Sequence, residues 1–138
     1  MKIEHFALQV SDPPAMARWY VVHLGLSVRR GSTEPPYAFF LADDGGRMLV
    51  EIYRNDSFEV PDHAFSPAAH FHLAFVSADL EADRLRLIEA GAAAEGDINT
   101  MENGDKVCFL RDPWGLALQL VQRAEVLLSG EGNEAITA

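Results

Sequence analysis

His5-Phe6-Ala7-Leu8-Gln9-Val10-Ser11-Asp12 returns 67 residues later as His72-Leu73-Ala74-Phe75-Val76-Ser77-Ala78-Asp79. Each copy is an apolar run that ends in aspartate and leads into residues with helical spacing. After the first come Met16, Trp19, Tyr20 and His23-Leu24, which predict a helix over 13–24. After the second come Leu80, Leu85, Leu87 and Ile88, which predict one over 80–90. Asp12 and Asp79 suit the N-cap, because a short carboxylate accepts the orphan N–H bonds of a first turn. Pro13 and Pro14 suit the opening turn, and Gly25 and Gly91 the stops. Further on, Asp44 to Glu51 lies over Asp112 to Gln119 at an offset of 68, one loop residue longer. Each copy thus reads as βαβββ.

The first copy predicts strands over 2–10, 26–30, 37–42 and 47–54; the second predicts 70–77, 93–97, 105–111 and 116–122. Asn103-Gly104 marks a two-residue hairpin between the sixth and seventh strands. Asp43-Asp44-Gly45-Gly46 and Asp112-Pro113-Trp114-Gly115 supply the other turns. A single domain over 1–128 follows, with modules 2–54 and 70–123 joined by a linker, 55–69, that carries Pro61 and Pro67. The small, polar stretch 129–138 is expected to fray as a tail.

Side chains alternate across a strand, so each strand presents two different faces. Phe6, Leu8 and Val10 oppose His5, Ala7 and Gln9. Met48, Val50 and Ile52 oppose Leu49, Glu51 and Tyr53. Phe71, Leu73 and Phe75 oppose His70, His72 and Ala74. Leu116, Leu118 and Leu120 oppose Ala117, Gln119 and Val121. The bulkier set belongs beneath a helix, which leaves His5, Glu51, His72 and Gln119 on the opposite faces at equivalent points of the two repeats. A lone strand histidine is more often a half-exposed one than a ligand, but Glu51 between two aliphatic residues requires a partner. His70 shares a face with His72 and competes for its role, though it has no counterpart in the first copy. His23 and His63 read as helix-surface and loop residues.

Composition narrows the class of partner. The 138 residues are 49% hydrophobic with no apolar run near the roughly 20 that span a bilayer. Twenty-one acidic against eleven basic residues give a formal charge of −10, with no basic cluster for a phosphate backbone. One cysteine can form neither an internal disulfide nor a Cys-based zinc site, and Met1-Lys2-Ile3-Glu4-His5 lacks the apolar core of a secretory signal. The expectation is a soluble, cytoplasmic protein that takes a small molecule, with neither nucleic acid nor membrane as partner.

At these residues the sequence resembles the vicinal oxygen chelate superfamily, which includes glyoxalase I, extradiol dioxygenases and bleomycin-resistance proteins. The likeness rests on Ile3 to Asp12, Trp19-Tyr20 with Leu24-Gly25-Leu26, Val50-Glu51-Ile52, His72 to Phe75, Phe109 to Gly115 and Leu118-Gln119-Leu120. It covers residues 2 to about 123 and is strongest toward short bacterial glyoxalase I proteins. The resemblance implies an α+β fold of two βαβββ modules, incomplete barrels around a shared cleft, and a homodimer. It also implies that His5, Glu51, His72 and Gln119 ligate a divalent metal, and the donor set suits Ni, Zn, Mn or Fe. The last position is usually Glu in glyoxalase I, where it also serves as base. Gln119 can ligate but cannot take a proton at neutral pH, so a base role falls to Glu51. The expected activity is a glyoxalase-like isomerisation or lyase reaction, with a dioxygenase or a non-catalytic drug-binding protein as alternatives. Tyr37, Phe39, Tyr53, Phe109 and Trp114 are the expected pocket walls, with Arg111 to hold an anionic substrate.

Overall fold

Both helices form behind the expected aspartates. Ala15 N donates to Asp12 Oδ1 and Ala82 N to Asp79 Oδ1, each at 3.0 Å. α1 spans Pro13–Leu24 and stops at Gly25, whose φ of 72° is the left-handed conformation that glycine adopts freely. α2 spans Leu80–Glu89, with Ala90 as its C-cap. The computed structural model describes residues 3–46 and 49–127. Lys2, Arg47, Met48 and the tail 129–138 therefore lie outside the described residues. The chain divides into two compact units, Met1–Phe65 and Ser66–Ala138.

The first unit holds β1 (His5–Gln9), β2 (Ser27–Gly31), β3 (Phe39–Ala42) and β4 (Leu49–Tyr53) around α1. The sheet order is β1-β4-β3-β2, parallel between β1 and β4 and antiparallel elsewhere. Met16, Ala17 and Tyr20 of α1 are buried, as are Leu8, Val10, Leu41 and Ile52. Fully burying such an aliphatic or aromatic side chain contributes about 1.5–3 kcal/mol, so this stripe holds the helix on its sheet. Gly31 lies opposite Phe39, and a Cβ there would sit 2.7 Å from the ring, which is why this edge position carries no side chain.

The second unit repeats the plan with β5 (Leu73–Val76), β6 (Ala93–Thr100), β7 (Lys106–Arg111) and β8 (Ala117–Gln122) around α2. Its order, β5-β8-β7-β6, is again parallel only in the first pair. Leu80 and Leu87 are fully buried with Cys108, Leu110 and Leu118. Burial pushes the Cys108 thiol above its ordinary pKa, which keeps it protonated and unreactive. Each unit is an open four-stranded mixed sheet with one helix; neither sheet closes into a barrel.

Several boundaries differ from expectation for local reasons. Tyr37 does not begin β3. Its φ is 54°, its N–H bonds Glu34 O at 2.7 Å, and the turn delays pairing until Phe39. β5 starts at Leu73 rather than residue 70, because His70 N closes a turn on Pro67 O. β6 runs to Thr100, past the expected residue 97. Glu95 to Asn99 face only Phe109 to Val107, and the slack falls around Gly96, whose φ is 80°. Met101 N bonds Asp105 O, so the hairpin loop is three residues, Glu102 to Gly104, with Gly104 at φ 86°. That is a turn followed by a left-handed glycine, in place of the expected two-residue turn.

Candidate functional site

Register carries the expected residues to matching places in each unit. Across β1 and β4, Ala7 pairs with Glu51; across β5 and β8, Ala74 pairs with Gln119. Paired strand residues share a face, so Glu51 lies diagonally across from His5, and Gln119 from His72. In the first unit the two donors meet: His5 Nε2 is 3.3 Å from Glu51 Oε2. The Glu51 side chain is 19% exposed and that of His5 38%, so the carboxylate is the more shielded of the two. His5 Nδ1 contacts the Glu4 carboxylate. That hydrogen bond, opposed by partial burial and helped by the charges of Glu4 and Glu51, raises the His5 pKa above its ordinary value.

His72 is held differently. Its Nδ1 bonds the backbone oxygen of Ala68 at 2.8 Å. A carbonyl only accepts, so Nδ1 carries the proton, and Nε2 of the neutral ring keeps the lone pair that a metal requires. Hydrogen bonding of the second ring nitrogen to a carbonyl or carboxylate is the support that ligating histidines use. Both imidazoles also meet a phenylalanine edge-on. His5 stands at 88° to Phe40 with centroids 5.6 Å apart, and His72 at 85° to Phe109 at 5.2 Å. Phe40 pairs with Glu51 and Phe109 with Gln119, so a histidine against a phenylalanine that is strand-paired with Glu or Gln recurs as one pattern.

The remaining expected residues scatter. Tyr53 pairs with Gln9 on the face of Glu51 and His5. Phe39 pairs with Ile52 on the opposite, core-facing side, and Tyr37 sits in the turn before it. Phe40, not Phe39, is the aromatic residue beside His5; alternation counted inward from Glu51, not outward from Tyr37, would have found it. Trp114 lies in the β7–β8 turn, its N–H bonded to Asp112 Oδ1 at 2.9 Å. Arg111 is largely buried and bonds Glu95, Gly115 O and Ser66 O. His70 is exposed. His63, expected as a loop residue, bonds Gln9 O through Nε2 at 2.8 Å, while Gln9 Nε2 reaches Phe58 O and Glu59 O. Together these fasten the loop onto β1.

An open recess of about 720 Å³ lies in the second unit beside Gln119, lined also by Thr100, Met101, Asp105, Val107 and Arg123. Among the described residues no three His, Cys, Asp or Glu side chains gather as a metal-holding group; His5 and Glu51 come together as a pair. No helix among them is long and apolar enough to cross a membrane.

Comparison with known proteins agrees with this architecture. No curated protein matches the chain. The crystal structure of SMU.1112c is 30% identical with a TM-score of 0.68, over 88% of this chain and 98% of that one. A Glyoxalase Family Protein from Bacillus cereus is 16% identical with a TM-score of 0.76, over 88% and 93%. TnmS3, an antibiotic binding protein from Streptomyces sp. CB03234, is 21% identical with a TM-score of 0.66, over 90% and 97%. The family model described as Glyoxalase/Bleomycin resistance protein/Dioxygenase superfamily matches residues 2–120. The chain therefore belongs to that superfamily.

Proposed function

We propose that this protein is a metal-dependent enzyme acting on a small molecule with adjacent oxygens, with a glyoxalase-like isomerisation as its reaction. His5, Glu51, His72 and Gln119 are its ligands, and the protein works as a homodimer. The observation that carries the reading is the His5–Glu51 pair, whose Nε2 and Oε2 lie 3.3 Å apart. The donor chemistry fits: two imidazoles, each with its second nitrogen engaged, one shielded carboxylate and one amide. Such a set suits a first-row divalent ion with positions left open. When bound, that ion supplies a Lewis acid that polarises two neighbouring substrate oxygens, an effect worth several kcal/mol.

The chain's own residues do the rest. Glu51 accepts the proton that moves during isomerisation, since Gln119 has no proton-accepting group. Phe40 and Phe109 hold the imidazole rings edge-on, and the recess beside Gln119 takes the substrate's distal part. Turnover of a methylglyoxal–thiol adduct by metal-loaded protein tests this directly. Glu51→Gln keeps an oxygen donor but loses the base, and its kcat is expected to fall at least a hundredfold. Unchanged kcat in that variant contradicts the assignment.

Gln119 itself favours a second reading, a non-catalytic binding protein whose recess sequesters a ligand; TnmS3, similar in fold, is an antibiotic binding protein. It predicts ligand affinity unaltered in His5→Ala and Glu51→Ala. Titration of the two variants with a cationic, aromatic drug by calorimetry separates the readings.

A further inference from the structure

We infer that Arg111 is a positioning residue for His72, acting through Ser66 to Ala68, the stretch that opens the second unit. The inference rests on the proposed ligand role of His72 only for its consequence, not for its geometry.

Three successive backbone oxygens carry it. Ser66 O accepts from Arg111 Nη2 at 2.9 Å, Pro67 O from His70 N at 2.9 Å, and Ala68 O from His72 Nδ1 at 2.8 Å. Among the described residues the segment has no sheet partner, and these three bonds tie down its successive carbonyls. Ala68 is buried at 6% exposure, which keeps water from replacing the bond to the imidazole. The Arg111 end is anchored more firmly. Its side chain is 15% exposed, Nε and Nη2 grip the Glu95 carboxylate, and Nη1 bonds Gly115 O at 3.2 Å. Every guanidinium nitrogen thus has a partner inside the unit.

Strand alternation joins the two ends. Arg111 and Phe109 lie two residues apart on β7 and share a face. Phe109 meets the His72 ring edge-on, and Arg111 fixes the carbonyl that holds the ring's Nδ1. One strand therefore sets both the tilt and the tautomer of the imidazole. Lysine cannot replace this arginine, because one ammonium cannot span Glu95, Gly115 and Ser66 with a flat fork of donors. The first unit does without the device: His5 Nδ1 takes the neighbouring Glu4 carboxylate instead.

Histidine ring ¹⁵N NMR on the metal-free protein, at a pH where the imidazoles are neutral, tests the assignment. In the unaltered protein His72 is expected as the Nδ1–H tautomer. In Arg111→Gln and Arg111→Lys it is expected to become a tautomer mixture, with His5 and His63 signals unmoved. Glu95→Gln, which loosens Arg111 without removing it, is expected to give a smaller shift and keeps the test available should an Arg111 variant fail to fold. Zinc affinity in the same variants is expected to fall about tenfold or more, the usual effect of losing support behind a ligand. A His72 ring that is Nε2–H in the unaltered protein, or whose tautomer is indifferent to Arg111 and Glu95, overturns the inference. Zinc failing to bind the unaltered protein, with the tautomer changes intact, defeats the proposed metal role alone.

Discussion

Asp112 is 3% exposed, and its Oδ1 accepts from the backbone N–H groups of Trp114 and Leu116, both at 2.9 Å. Removing the carboxylate strands those donors, Leu116 being itself buried. Asp112→Ala is therefore expected to cost about 1–3 kcal/mol in urea denaturation, and a loss below a few tenths would contradict the capping role. Asp105 makes a pH-dependent contribution. Its carboxylate accepts from Ala124 N at 2.8 Å, Arg123 Nη1 at 2.6 Å and Asn103 Nδ2 at 3.1 Å. The Ala124 bond first, then Arg123, hold its pKa below the usual carboxylate value. A folded value below the unfolded one gives stability that is present above roughly pH 4 and is lost as pH falls through the folded value. The stability gap between the unaltered protein and Asp105→Asn is therefore expected at pH 7 and should close in strong acid. A gap that stays constant to pH 2 would rule this out. At this scale the sequence was legible for the equivalent strand positions of Glu51 and Gln119 and for the face that His5 shares with Glu51, and silent on what surrounds them. The Ala68 carbonyl and the Glu95–Arg111 pair make contacts that alternation alone does not reveal.

The elements were legible where one residue decides a boundary. Asp12 and Asp79 cap their helices as their chemistry requires, and Asp79→Ala is expected to cost about 1 kcal/mol, with Asp79→Asn near neutral. Matched unfolding curves for the two variants check this, and equal losses in both would show that the carboxylate's charge rather than its cap is what counts. Boundaries failed where backbone geometry overrode pattern. Tyr37 looks like strand from its aromatic ring but adopts a positive φ in a turn, and this shifted the apparent parity of β3 onto Phe39. The bulge between Glu95 and Asn99 lengthens β6 beyond what its mixed composition suggests. His70 alternates correctly with His72, yet the turn to Pro67 takes it out of the strand and into solvent.

Across the whole chain, duplication is the fact that organises everything else. Two units with the same strand order repeat the same register, from Ala7 opposite Glu51 to Ala74 opposite Gln119. The repeat was visible because a histidine and an aspartate bracket both copies. The reaction was not, because the family's chemistry is set by a few donors and by whatever fills the recess, neither of which leaves a periodic trace. The copies also differ at the position on which the proposed reaction depends: Glu51 can take a proton and Gln119 cannot. The central claim is that these four residues form a metal site, and isothermal titration of the demetallated protein with zinc, nickel and manganese measures it most directly. The account predicts one tight divalent ion per chain, with affinity lost in His72→Ala and in Glu51→Ala. Protein that takes up none of these metals at micromolar concentration, or binds them equally well in both variants, would contradict it.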